Sequence, residues 1–213
     1  MMDYNYFENY KSYIFYNYNN TICTTDKYDL NNYATSAYNM FSYLLLIFLY
    51  DTMLRLLIND KARWFQLHTV VNCIVTKIVF SDIYNIIKNP LTGYKILDNH
   101  NASYYILYLH IYHILAYKKL TKYDYFHHIL FIALGVLPDI FFMKTNQKYL
   151  AYIVCNGIPG IIEYGSLVLY KNNKLTLHNQ KLINCYNYLI LRLPFCILTC
   201  CFNYYSYKLN IIK

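Results

Sequence analysis

Two adjacent histidines, His127 and His128, stand inside the otherwise apolar stretch KYDYFHHILF, Lys122 to Phe131. Imidazole is the side chain whose ordinary pKa lies closest to neutral, so such a pair suits acid–base or acyl-transfer chemistry. Asp124 precedes the pair by three and four residues, a helical spacing that lets its carboxylate orient either ring. Neighbouring helical positions diverge by about 100°, so both rings reach one substrate atom only if one turns inward and the other spans a seam between helices.

Other polar residues sit in equally apolar company. His68 lies one turn past Trp64, and His110 and His113 share a helix face. The His110/His113 spacing is compatible with metal or haem, and a haem or metal reading on His110, His113, His127 and His128 stays open beside the others. No acidic partner completes a site, so no metal is expected and these rings read as satisfied polar groups of a bundle. In NGIPGIIEYG, Asn156, Pro159, Gly160 and Glu163 fall on or near one helix face, and Gly157, Pro159 and Gly160 should weaken and kink it. Arg192 is the natural countercharge for Glu163, whose role as half of a structural bridge or as a catalytic or substrate-binding acid is open. Asp139 follows Pro138, Asp51 and Arg55 are spaced to pair on one helix, and Lys77 and Asp82, five apart and poorly aligned with each other, are expected to face other helices.

The elements that carry these residues read as membrane helices. The chain is 57% hydrophobic and only 14% charged, against roughly a quarter charged in a typical soluble domain. A bilayer-crossing helix needs about 20 mostly apolar residues. Six windows approach this: Ala37 to Ile58, Trp64 to Ile87, Ala102 to Tyr117, Tyr125 to Met143, Tyr149 to Tyr170 and Leu182 to Tyr205. The expected fold is therefore all-α, a polytopic bundle of about six transmembrane helices. It divides into a polar N-terminal tail (1–34), a transmembrane domain (35–207) and a short C-terminal tail (208–213).

Composition narrows the function further. The net charge of +8 is spread over short connections with no basic stripe, which excludes nucleic acid as a partner. The seven cysteines show no CxxC spacing, so neither a zinc motif nor a disulfide framework is legible. The first residues are polar and tyrosine-rich, unlike a signal peptide. Tyrosine, asparagine, isoleucine and lysine all have A/T-rich codons, and their abundance is read as codon bias. Basic residues tie between the two membrane sides, tipping slightly toward a non-cytoplasmic N-terminus once Lys11, far from any span, is discounted. The sequons at Asn19 and Asn101 would then share the non-cytoplasmic side.

Three segments resemble the TLC-domain family, shared by ceramide synthases, translocating-chain-associating proteins and small lipid-homeostasis proteins. They are RWFQLHTVVNCIVT, with a tryptophan and histidine opening a span; YDYFHHILFI, an acid–aromatic–His-His segment; and IEYGSLVLYKNNKL, a glutamate and serine ahead of a basic loop. The resemblance runs roughly from Asp60 to Tyr207. It implies an integral, multi-pass protein of the endoplasmic reticulum or a related endomembrane, acting on membrane lipids in homeostasis, binding, sensing or trafficking.

In the ceramide synthases the histidine pair acylates a sphingoid amine with acyl-CoA. Carried onto this chain, His127, His128 and Asp124 would be catalytic. Asn156, Glu163, Asp139, Arg192 and His68 would contact substrate, and acyl-CoA would be a co-substrate with no cofactor bound. A sphingoid base or ceramide would be the lipid partner, and a homo-oligomer is compatible with this. The chain departs from that pattern after the pair, where HHILFIALGVLPD lacks the usual threonine and only Asp139 and Glu163 stand in for an acidic cluster. In size it resembles smaller members that move or regulate lipids, so lipid handling and N-acyl transfer both remain open.

Overall fold

In the computed structural model, residues 30–208 are described apart from 59, 91, 92, 96, 98, 99, 118, 119 and 144, with side chains at Tyr38 and from Phe41 onward. Most of the expected N-terminal tail, with Asn19 and Cys23, and all but the first residue of the expected C-terminal tail lie outside the described residues. The rest is all-helical, without a strand among the described residues. Six helices follow in order: α1 (Leu30–Leu57), α2 (Arg63–Lys88), α3 (Asn101–Ala116), α4 (Lys122–Phe142), α5 (Lys148–Lys171) and α6 (Leu177–Lys208). α1 starts at Leu30, inside the stretch expected to be tail.

Four of these, α2, α4, α5 and α6, are long and apolar enough to cross a membrane. α3 has 16 residues and falls short of the usual length. The outward faces of α4 and α6 are bare and apolar, with Phe126, Leu134 and Phe142 on one and Leu189, Ile190 and Ile197 on the other. Only 11% of the apolar window of α6 is buried. Such a surface is at home in lipid, where it carries no penalty.

The core is built on α2. Its Leu67, Val71, Val75, Val79, Ile83 and Ile86 form a buried stripe at helical spacing, packed against α1, α3 and both halves of α5. Ile106 and Leu109 of α3 complete this core.

Local chemistry sets the ends and breaks. α4 opens on a capping box, in which the Asp124 backbone N–H donates to Thr121 Oγ1 (3.2 Å) and the Thr121 N–H donates to Asp124 Oδ2 (2.8 Å). α5 ends in a Schellman arrangement. Asn173 takes φ 57°, and the Lys174 N–H donates to the Leu169 carbonyl at 2.9 Å.

The break expected in α5 falls between Cys155 and Ile158. A Cβ on Gly157 would lie 2.7 Å from the Ile153 Cα, and Pro159 restarts the helix with φ pre-set. Asn187 on α6 donates to the Pro159 carbonyl at 2.8 Å, tying that restart to its neighbour. Two wider π turns, Phe131–Val136 and Asn187–Arg192, each end just before a Leu-Pro pair, Leu137-Pro138 and Leu193-Pro194. Proline lacks the N–H and crowds the carbonyl four residues back, and a wider turn relieves both.

The ion pairs rearrange two sequence expectations. Asp51 does not pair with Arg55, which is exposed; it pairs with Arg63 at the start of α2. Arg63 Nε donates to Asp51 Oδ1 at 2.6 Å and Arg63 Nη2 donates to Oδ2, a two-pronged grip. Tyr112 and Tyr117 add donors at 2.6 and 3.3 Å. Asp82 reaches Lys95 in the following connection at 2.6 Å, and Lys77 is exposed. The six described cysteines are free.

Removing one partner of a buried pair strands the other charge, at a cost of about 3–5 kcal/mol. Arg63→Met should therefore destabilise the detergent-solubilised chain by about that much, and adding Asp51→Asn should restore most of it. Thermal unfolding of the two single variants and the double variant checks this; additive losses would show that the pair is not coupled.

Candidate functional site

Three helices aim histidines at one region. α2 supplies Trp64 and His68 from its first turns, α3 supplies His110 and His113 from its last, and α4 supplies His127 and His128 just after its cap. His68, His110, His113 and His128 are buried, whereas His127 is exposed. The two neighbours of KYDYFHHILF therefore diverge as helical geometry requires, one ring inward and one outward, with their centres 5.2 Å apart.

Aromatic faces hold the rings. Trp64 stacks on His113 and meets His68 edge-on at 3.9 Å between centres. Tyr164, from the second half of α5, stacks on the other side of His68 at 4.2 Å, and Phe131 stacks on His110 at 4.6 Å. The α2–α5 approach is close. A Cβ on Gly160 would lie 2.6 Å from Asn72 Nδ2, so a larger residue here would displace the Asn72 side chain.

Hydrogen bonds fix two of the rings. The His110 Nδ1–H donates to the Ile106 carbonyl at 2.7 Å, which leaves Nε2 with its lone pair. His113 Nδ1 and His128 Nε2 are 2.6 Å apart, so one donates and the other accepts. His128 Nδ1 is buried without a partner, as is His68 Nδ1.

A recess of about 500 Å³ opens beside this cluster, lined by Arg63, Trp64, His113, Tyr117, Leu120 and Asp124. His113 thus joins the recess to the buried His128. The arrangement can pass a proton between recess and interior, and it can present imidazole nitrogens to a hydroxyl, an amine or a metal.

The remaining sequence candidates are distributed elsewhere. Asp124 binds its own cap residue Thr121 through backbone and hydroxyl, at 2.8 and 2.7 Å, and its carboxylate lines the recess rather than bonding an imidazole. Asp139 belongs to a second buried network toward the other end of α3. It accepts from Ser103 Oγ at 2.8 Å and from the Tyr152 hydroxyl, and pairs with Lys148 at 3.4 Å. Lys148 Nζ also lies 2.5 Å from His100 Nδ1.

Glu163 pairs with Arg192 at 2.6 Å on the α5–α6 seam, as their charges suggested, with Tyr188 against both. Asn156 is buried at the α5 break with its Nδ2 unpartnered. Of the expected substrate-contacting residues, His68 alone joins the histidine cluster. Sequence reading grouped His110 and His113 with the pair only under the haem or metal alternative, and did not place Trp64 or Tyr164 in the site, nor Ser103, Lys148 and Tyr152 around Asp139. The i, i+3 pair His110/His113 and the i, i+4 pair Lys148/Tyr152 were the legible signals.

Compared with family profiles, with curated proteins and with solved structures, the chain gives no match.

Stranding a buried imidazole nitrogen costs about 1–3 kcal/mol, and an exposed side chain is usually worth less than about 0.5 kcal/mol. His113→Ala should destabilise the chain by the larger amount and His127→Ala by the smaller. Denaturant unfolding in detergent measures both; equal effects would contradict the inward–outward division of the cluster.

Proposed function

We propose that this chain is a multi-pass membrane protein, a TLC-like bundle of about six membrane helices in the endoplasmic reticulum or a related endomembrane, that binds, senses or carries a lipid. The observation that carries this reading is the gathering of His68, His110, His113, His127 and His128 beside a recess in a bundle with bare apolar faces on α4 and α6. Ionisable side chains gathered inside an apolar membrane bundle by default mark a site that receives a polar group. A lipid headgroup bearing hydroxyl, amide or amine would meet imidazole donors and acceptors there. Its chains would lie along the bare faces of the helices.

The contact between His113 and His128 favours a second reading, N-acyl transfer of ceramide-synthase type. A sphingoid amine would attack the thioester carbon of acyl-CoA, forming the amide and breaking the C–S bond. His128 would take the amine proton, and the imidazole pair would return one to the leaving thiolate.

Lipidomics of membranes expressing the wild type or His127→Ala/His128→Ala separates the two. Lipid handling predicts a co-purifying, unmodified lipid that falls at least tenfold in the double variant, with product levels unchanged. Acyl transfer predicts ceramide-like products that vanish in the double variant. Neither a retained lipid nor a new product in the wild type would sink both.

A further inference from the structure

His110, His127 and His128 bring one nitrogen each within 4.8 Å of the others. We propose that these three side chains form a binding site for a divalent transition metal of the zinc class, with one coordination position left open. The ring spacing supports this. A metal about 2.1 Å from each nitrogen at near-tetrahedral angles separates imidazole centres by about 5 Å. The centres of His110 and His128 are 5.2 Å apart, those of His127 and His128 also 5.2 Å, and those of His110 and His127 6.2 Å. Rotation of His127, the exposed member, closes the last gap.

The surroundings are those of a prepared site. Ligating imidazoles characteristically commit their other nitrogen to a carbonyl or similar partner. His110 does this through Nδ1 to the Ile106 carbonyl. His128 does it through Nε2 to His113, which leaves its buried Nδ1 without a partner.

Three neutral imidazoles with no carboxylate suit zinc, copper or nickel and not calcium or magnesium. Asp124, the acid one turn before the pair in the same helix, is taken up by its cap. Three histidines and an open fourth position also form a known catalytic zinc geometry, and the exposure of His127 gives the ion a way in. His68 is left out of the set because Trp64 and Tyr164 enclose its ring. The site does not presuppose lipid handling, and it competes with acyl transfer, since a metal on His128 would occupy the ring that takes the amine proton.

The test uses the full chain in detergent, stripped with a chelator and titrated with Zn²⁺ alone, then with Co²⁺ as an optical reporter. One equivalent should bind, and His127→Ala should weaken binding at least tenfold while keeping its metal-free melting temperature. Zn²⁺ should raise the melting temperature of the wild type and not of that variant. His178→Ala, and a chain with Cys196, Cys200 and Cys201 changed to alanine, should retain wild-type affinity, which separates this site from surface and thiol binding. In the wild type, Zn²⁺ should also shield His127 from diethyl pyrocarbonate, a readout that survives even if the variant does not fold. Sub-stoichiometric binding, unaltered affinity in His127→Ala, loss of binding in the cysteine variant, or unshielded His127 would each overturn the site.

Discussion

A carboxylate with no exposed surface keeps its charge inside an apolar bundle only where a cation and donors are built around it. At Asp51 these are Arg63, Tyr112 and Tyr117, which come from the start of α2, from α3 and from its C-cap. One residue of α1 thereby fixes where α2 begins and where α3 ends. Trp64 and His68 follow Arg63 directly, and His110 and His113 lie within a turn of Tyr112. The histidine cluster is thus assembled at a level of the bundle where three helices are pinned by an ion pair. The Asp139–Lys148–Ser103–Tyr152 network pins α3, α4 and α5 in the same manner toward the other end.

Between these levels the helices are shaped by residues that remove backbone hydrogen bonds. Pro138 and Pro194 each follow a π turn, and Gly157 with Pro159 divides α5. The first π turn begins at Phe131, three residues after His128, where the Phe131 ring stacks on His110. The α5 break lets its second half approach α2 closely enough for Gly160 to meet Asn72 and Tyr164 to cover His68. Irregular backbone at membrane depth is tolerated where neighbours satisfy it, and Asn187 does so at the Pro159 carbonyl.

Much of this was legible in the residues. Hydropathy windows placed the helices, because an apolar run of membrane length has few alternative fates. The Glu163–Arg192 pair was legible because each is the obvious countercharge of the other. Asp51 was misassigned to Arg55 because helical spacing offers a local partner for any acid, whereas Arg63, beyond the connection, has the two-pronged geometry a fully buried carboxylate needs. The recruitment of Trp64, His113 and Tyr164 depends on how α2, α3 and α5 are rotated against one another, and local periodicity does not encode that. Asp124 shows the converse. Its spacing to the histidines was right for orienting them, but the same spacing to Thr121 makes a capping box, and the unsatisfied N–H groups of a helix start claim the carboxylate first.

An imidazole nitrogen holds a proton or a metal, never both, and this sharpens the chemistry open to the cluster. With the His110 proton committed to the Ile106 carbonyl, His110 Nε2 is always a lone pair. His128 is different, since its contact with His113 is satisfied by either of two tautomer pairs. When His113 donates, His128 carries its remaining proton on Nδ1, and the pair can relay protons between recess and interior. When His128 donates, its Nδ1 becomes a second lone pair beside that of His110, and the cluster is poised for a cation. The tautomer of one buried ring therefore sets whether the site moves protons or holds a metal, and the exposed His127, the member able to turn toward or away from the other two, is the ring through which an incoming ion would set it.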